Sequence, residues 1–150
     1  MTTPASPPQS FTVRTVRWRD AQPALRAVRE AVFIVEQRIP ADLEWDDDDP
    51  VCLHALAEDD ERRPIGCGRL LPDGHIGRMA VLAEWRGRGV GAALLAELID
   101  AARKRGHAAA RLHAQTHAAP FYARYGFAAE GDDYLEAGIP HRTMVLKLAG

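Results

Sequence analysis

The chain is poor in the features that three broad classes of protein need. Two cysteines in 150 residues, Cys52 and Cys67, are too few for the disulfide framework of a small secreted domain. Their settings, Val-Cys-Leu and Gly-Cys-Gly, read as strand positions holding buried free thiols. No apolar stretch approaches the roughly 18–20 residues that span a bilayer. The opening Met-Thr-Thr-Pro-Ala-Ser-Pro-Pro-Gln-Ser has neither the basic start nor the apolar run of a secretory signal, so a reducing cytoplasm is the expected compartment. A formal net charge of −2 gives no general pull towards nucleic acid or an anionic membrane.

What is present suits one soluble α/β domain. Hydrophobic residues make up 47% and charged residues 27%, the balance of an ordinary globular protein. Residues 1–10, rich in Pro, Ser and Thr, are expected to be a disordered tail, and 11–150 a single domain. The charge is unevenly placed. Acids crowd Asp42–Asp49 and Glu58–Glu61, while Arg86, Arg88, Arg103 and Arg105 gather elsewhere, so one part of the surface suits a cation and another an anion.

Alternation of apolar and polar residues over Phe11–Trp18 predicts a first strand. Asp20 is placed to cap a helix with Pro23 in its first turn and an apolar face (Leu25, Val28, Val32, Phe33, Val35) running to about Gln37. Residues 38–50 read as an exposed loop with at most one helical turn. Val51–Ala57 and Pro64–Leu71 read as paired strands, and His75–Leu82 as a further strand after the Asp73-Gly74 turn. Gly89–Arg105 carries Val90, Leu94, Leu95, Leu98, Ile99 and Ala102 at helical spacing, with Gly106 as the stop. Ala108–Ala114 predicts a short strand, His117–Tyr125 a helix and Met144–Leu148 a closing strand. Strand and helix alternating in this way predict a mixed sheet flanked by helices.

The chemistry is concentrated where the fourth of these strands meets the long helix, in Ala80-Val81-Leu82-Ala83-Glu84-Trp85-Arg86-Gly87-Arg88-Gly89-Val90-Gly91-Ala92. A glycine-rich turn opening a helix exposes successive N–H groups at the positive end of the helix dipole, a site for phosphate oxygens. Arg86 and Arg88 add charge and donors. No Gly-Lys-Ser/Thr closes the turn, which excludes a P-loop. Gly87-x-Gly89-x-x-Ala92 fits the relaxed dinucleotide fingerprint. Against that reading, Ala83–Arg86 separate it from its strand, and no acid stands about 20 residues on to hold a ribose.

Arg86-x-x-Gly89-x-Gly91 resembles the pyrophosphate-binding motif of the GNAT acetyltransferases, (Gln/Arg)-x-x-Gly-x-(Gly/Ala), and Arg78-Met79-Ala80-Val81 looks like that family's fourth strand. Phe121-Tyr122-Ala123-Arg124-Tyr125-Gly126-Phe127 resembles its second signature, Phe-Tyr-x-x-x-Gly-Phe, one helix and one strand later. Val32–Gln37, His113-Ala114-Gln115 and Ala137–His141 look like the small stand-alone ElaA-type members. The resemblance implies a GNAT-like acyl-CoA N-acyltransferase fold that splays between its fourth and fifth strands. Acetyl-CoA would be the acyl donor, with its pantetheine arm in the gap against Met79, Ala80 and Val81. Its pyrophosphate would lie on Arg86, Gly87, Arg88, Gly89, Val90, Gly91 and Ala92. The N–H of Met79 would face the thioester oxygen, and Tyr122 would protonate the departing thiolate.

The resemblance further implies transfer to a primary amine by direct attack in a ternary complex; whether the acceptor is a small molecule, the favoured reading, or a protein is left open. Homodimers are common in the family. Glu36, at the end of the first helix, is the candidate base or anchor for a substrate cation, with His113 and His141 as alternatives. Trp45, among the acids of 44–49, is a candidate cation–π platform for the acceptor. His113 and His117 stand four apart, but one ends a strand and the other begins a helix, so the geometry of a zinc helix is absent and no metal is expected. Two other functions share such a core: an acyl-homoserine-lactone synthase, expected to draw on acyl carrier protein, and a sensor that holds acetyl-CoA without turnover.

Overall fold

A computed structural model describes residues 10–148; apart from Ser10, the expected tail lies outside them. Seven strands form one sheet in the order β1-β2-β3-β4-β5-β7-β6. They are β1 (Phe11–Arg17), β2 (Leu53–Asp59), β3 (Pro64–Leu70), β4 (His75–Val81), β5 (Ala109–Gln115), β6 (Ala128–Glu136) and β7 (Ile139–Lys147). All neighbours are antiparallel except β4 and β5. The α-helices among the described residues are α1 (Trp18–Arg29), α2 (Ala41–Glu44), α3 (Val90–Lys104) and α4 (Ala119–Ala123).

The sheet is covered on both faces. Alternation along β2 sends Leu56 to one side and Ala55 and Ala57 to the other. On the first side Leu25, Val28, Val32 and Phe33 pack on Leu56, Cys67 and Ala80. On the second, Val90, Leu94, Leu95 and Leu98 of α3 pack on Ile65, Leu70 and Ile76. Helix α3 comes close because β3 carries glycines: a Cβ on Gly66 would sit 3.0 Å from both Val90 Cγ1 and Leu94 Cδ1.

Several elements differ from expectation. Asp20 makes no cap. The helical stretch begins at Trp18 straight after β1, is broken at Ala21 (φ −134°, ψ 18°), and resumes with Pro23 in its new first turn. Beyond Arg29 the helix widens into a π segment, Glu30–Glu36, which carries the chain to Gln37. The stretch 38–50 holds α2 and a single 3-10 turn, Asp49–Val51. Strand β6 and the first half of β7 are additions that the apolar pattern did not predict. Most of β6 is exposed, and only Tyr134 is partly buried.

Candidate active site

The parallel pairing of β4 and β5 covers only His75↔Arg111 and Ile76↔Leu112. Past Ile76 the two strands part, leaving the C-terminal half of β4 facing a gap. Within that half, Arg78 and Met79 together oppose the single residue Gly68 of β3, a β-bulge with Arg78 at φ +50°. A side chain held in this region costs on the order of 1–3 kcal/mol and persists where its surroundings impose it. The Met79 side chain lies over Gly68, where a Cβ would come within 2.5 Å of its sulfur. Gly68 thus makes room for the bulge, and the bulge re-aims the backbone beside the gap.

The gap widens into a cleft of about 1220 Å³. Phe33, Glu36 and Gln37 of the π segment and its end line one wall, and β4 from Gly77 to Val81 the floor. Phe121 and Tyr122 of α4, with His113 and Gln115 of β5, line the other wall. The Gln115 side-chain amide donates to Gln37 Oε1 at 2.8 Å, joining the two walls.

At the far end of β4 a 3-10 turn (Ala83–Trp85) leads into the glycine-rich stretch. Gly87 and Gly89 have φ of 76° and 85°, in the left-handed region that favours glycine. Gly89 caps α3 with no side-chain hydrogen bond, and the first intrahelical bond there is Ala93 N–H to the Gly89 carbonyl, 3.1 Å. The N–H groups of Val90, Gly91 and Ala92 precede it and, among the described residues, have no backbone carbonyl as partner. Nothing lies within 4 Å of a Cβ built on Gly87 or Gly89, so the turn opens onto the cleft without obstruction. At Gly91 a Cβ would meet Phe121 Cζ at 3.5 Å, an ordinary contact that an alanine tolerates.

Arg86 is held more tightly than its sequence position suggests. Its Nε donates to the Val81 carbonyl at 3.0 Å, and its two terminal nitrogens form a fork onto both oxygens of Glu36, each 2.7 Å. The fork holds the Glu36 carboxyl below the usual carboxylate range. Arg88 lies over the Trp85 ring, 5.2 Å from its centre.

Tyr122 is packed edge-on to Phe121 and Phe127, and burial pushes its phenol up to about 12. His113 faces the cleft, stacked on His75 at 5.5 Å, with its Nδ1 hydrogen-bonded to the hydroxyl of Tyr134. His141 lies beside Tyr134, its Nδ1 donating to the Ile139 carbonyl at 2.6 Å and its Nε2 3.5 Å from Glu136. Sequence reasoning missed His75, Tyr134 and Glu136 because two of them ride on the unforeseen β6.

Trp45 does not reach the cleft. Its ring packs against the chain's own Arg26 and Arg29, 4.6 and 5.0 Å from their guanidinium carbons, which removes its face from any acceptor. The acidic stretch around it is only in part an open surface: Asp42, Asp47 and Asp48 are exposed, but the others are engaged. Glu44 and Asp49 are 2% exposed and Arg29 is 1% exposed. Arg29 bonds Glu44 and Asp49, each at 2.7 Å, while Arg69 bonds Asp49 at 2.8 Å and both oxygens of Asp46. Arg78 completes the network, 3.3 Å from Glu44 and 3.2 Å from Asp46, and so links the bulge to α2. One clue lay in the sequence: Arg29 falls at helical spacing from Leu25 and Val32, on the apolar stripe.

The comparisons with known proteins agree with this geometry. The model of the acetyltransferase (GNAT) domain matches residues 30–148.

The chain belongs to the GNAT acetyltransferase family.

It is 38% identical over 122 residues to the uncharacterized N-acetyltransferase YjcF of Bacillus subtilis, across 79% of this chain and 86% of that one. Escherichia coli ElaA superposes with a TM-score of 0.82 and 26% identity, over 92% of this chain and 100% of ElaA. The fold is shared by BjaI, a CoA-dependent acyl-homoserine lactone synthase, at a TM-score of 0.77 and 17% identity, over 93% and 84% of the two chains. BjaI corrects one expectation: a synthase of that class does not have to draw on acyl carrier protein, so coenzyme A use does not by itself separate it from an N-acetyltransferase.

Proposed function

We propose that this GNAT enzyme transfers the acetyl group of acetyl-CoA to a primary amine of a small molecule, by direct attack in a ternary complex in the cytoplasm. The observation that carries this reading is the gap between β4 and β5, ending at an uncapped, glycine-opened helix terminus. The N–H donors of Val90, Gly91 and Ala92, with room beyond Gly87 and Gly89, fit a pyrophosphate at the cleft's end. The edge of β4 from Met79 to Val81, which β5 leaves without a strand partner, fits the amide-bearing pantetheine arm. When bound, acetyl-CoA supplies the thioester carbonyl that is attacked and the thiolate that leaves.

The chain's own groups then have distinct tasks. The Met79 N–H, beside the bulge, stabilises negative charge developing on the carbonyl oxygen. Tyr122, kept protonated by burial, donates to the departing sulfur. Glu36 has both oxygens on Arg86, so its part here is to hold Arg86 and the turn in place. His113 and His141 border the acceptor end.

The test is a panel of primary amines with acetyl-CoA, followed by thiol release. Transfer to at least one small amine, abolished in the absence of acceptor, is expected. Tight acetyl-CoA binding with no turnover on any amine would replace this reading with a sensor.

A further inference from the structure

We propose, on the footing of the acetyl-transfer reading above, that His113 is the base that takes a proton from the acceptor's ammonium group, with Tyr134 as the positioning residue that sets its tautomer. The placement follows from register. Leu112 is the last residue of β5 paired to β4, so His113 is the first beyond the fork, at the level of Gly77. Met79 stands two residues further along β4, about 7 Å at 3.3 Å per residue. An acceptor nitrogen lying between the fork and the Met79 N–H is therefore within reach of the imidazole.

The geometry sets which nitrogen is turned to the cleft. Nδ1 is engaged by the Tyr134 hydroxyl, which leaves Nε2 to the cleft. Proton abstraction by Nε2 requires the tautomer in which Nδ1–H donates to the tyrosine oxygen, so that Nε2 carries the lone pair. The groups facing the ring are His75, with Asp73 3.0 Å from its Nδ1, from β4 and the turn before it; Tyr134 and Glu136 from β6; and His141 from β7. On its own strand, Arg111 is paired to Glu130. Burial and the two neighbouring histidines outweigh Glu136 and lower the imidazole's pKa, so it is neutral at pH 7. The competing bases are committed: Glu36 to Arg86, and His141 to the Ile139 carbonyl and Glu136.

The protons balance. An ammonium N–H bond breaks, its electron pair stays on nitrogen, and the proton bonds to His113 Nε2, from which it passes to water at the cleft mouth. The freed lone pair forms the new C–N bond as the C–S bond breaks. Tyr122 gives its proton to the sulfur and regains one from the nitrogen of the new amide. One proton is released per turnover.

Two experiments on the full chain test this. In the first, nitrogen-15 NMR of labelled histidines reads the tautomer. His113 is expected as Nδ1–H in the wild type, titrating below the ordinary 6.5, and to revert towards Nε2–H in Tyr134→Phe. An Nε2–H tautomer in the wild type, or no change in Tyr134→Phe, overturns the proposal. In the second, His113→Ala is assayed with acetyl-CoA and either ethylamine, which must lose a proton, or hydroxylamine, which is already neutral at pH 7. A loss of about 10²–10⁴-fold with ethylamine, only a few-fold with hydroxylamine, and partial rescue by added imidazole are expected; equal losses with both nucleophiles contradict a base. The tautomer is read whether or not acetyl-CoA binds, so failure of the acetyl-transfer reading is distinguishable from failure of this one.

Discussion

Burial acts on Tyr122 and His113 in opposite electrostatic senses with one chemical outcome: each is neutral at pH 7. The phenol, pushed up to about 12, keeps the proton it has to give, and the imidazole, lowered, keeps the lone pair it has to use. Tyr122→Phe retains the ring that packs on Phe121 and Phe127 and removes only the hydroxyl. It is expected to lower kcat by about 10²–10⁴-fold while leaving acetyl-CoA affinity within a few-fold, as read by stopped-flow thiol release and calorimetry. Loss of affinity in step with kcat would mean that the hydroxyl binds rather than donates. At Arg86 the side chain is less a free phosphate donor than a clasp, fastened to Glu36 and to the end of β4.

At the scale of elements, the buried network of Arg29, Glu44, Asp46, Asp49, Arg69 and Arg78 ties α1, α2 and the 3-10 turn after it to β3 and β4, and so fixes the floor beside the bulge. Arg69→Met removes a guanidinium that is 5% exposed and leaves Asp49 with one partner where it had two. Removing one partner from a buried pair costs about 3–5 kcal/mol, and urea unfolding is expected to show a loss of that size; a change below about 1 kcal/mol, the range of exposed pairs, would mean that water replaces the contact. None of this was legible in residues 42–49, because an acidic run looks the same whether its partners are solvent or arginines brought in from distant elements. The parts that were legible carry local signals. The turn at Gly87–Gly89 and the stripe Leu94, Leu95, Leu98 of α3 announce themselves by backbone freedom and periodicity. Strand β6 has no apolar alternation, being an edge strand that pairs only with β7, so both it and the Tyr134–His113 contact had to come from the tertiary structure. Trp45 misled for the same reason: an aromatic among acids invites a ligand, and only the fold shows Arg26 and Arg29 already on its face.

For the molecule as a whole, these buried groups set a pH dependence. His54 is 1% exposed, donates from Nε2 to the Asp49 carbonyl at 2.9 Å, and has its pKa lowered by burial. The folded state therefore binds fewer protons than the unfolded chain near the ordinary value of 6.5. The stability this contributes is present above that value and is lost as pH falls through the lowered folded-state value. Asp46, held at about 2 by Arg69, has the ordinary carboxylate sense: its contribution is present above 3.8 and is lost as pH falls towards 2. The Tm is expected to fall first on acidification from pH 7 to 5, and His54→Gln is expected to make that segment shallower, leaving the part due to His113, without altering the second. A Tm that is level down to pH 4 would contradict a neutral, buried His54. The central claim, that the cleft is built around acetyl-CoA with its pyrophosphate on the α3 terminus, is tested most directly by calorimetry of acetyl-CoA with wild type, Gly89→Asp and Gly91→Ala. The Gly89 site has open space for a side chain but lies at φ 85°, so Gly89→Asp carries backbone strain on the order of 1–3 kcal/mol. Its fold is checked by circular dichroism, and it places a carboxylate where the pyrophosphate would lie, while Gly91→Ala makes only an ordinary contact with Phe121. Binding by wild type and Gly91→Ala, lost in a folded Gly89→Asp, is the predicted result; no binding by the wild type, or equal binding by all three, would contradict it.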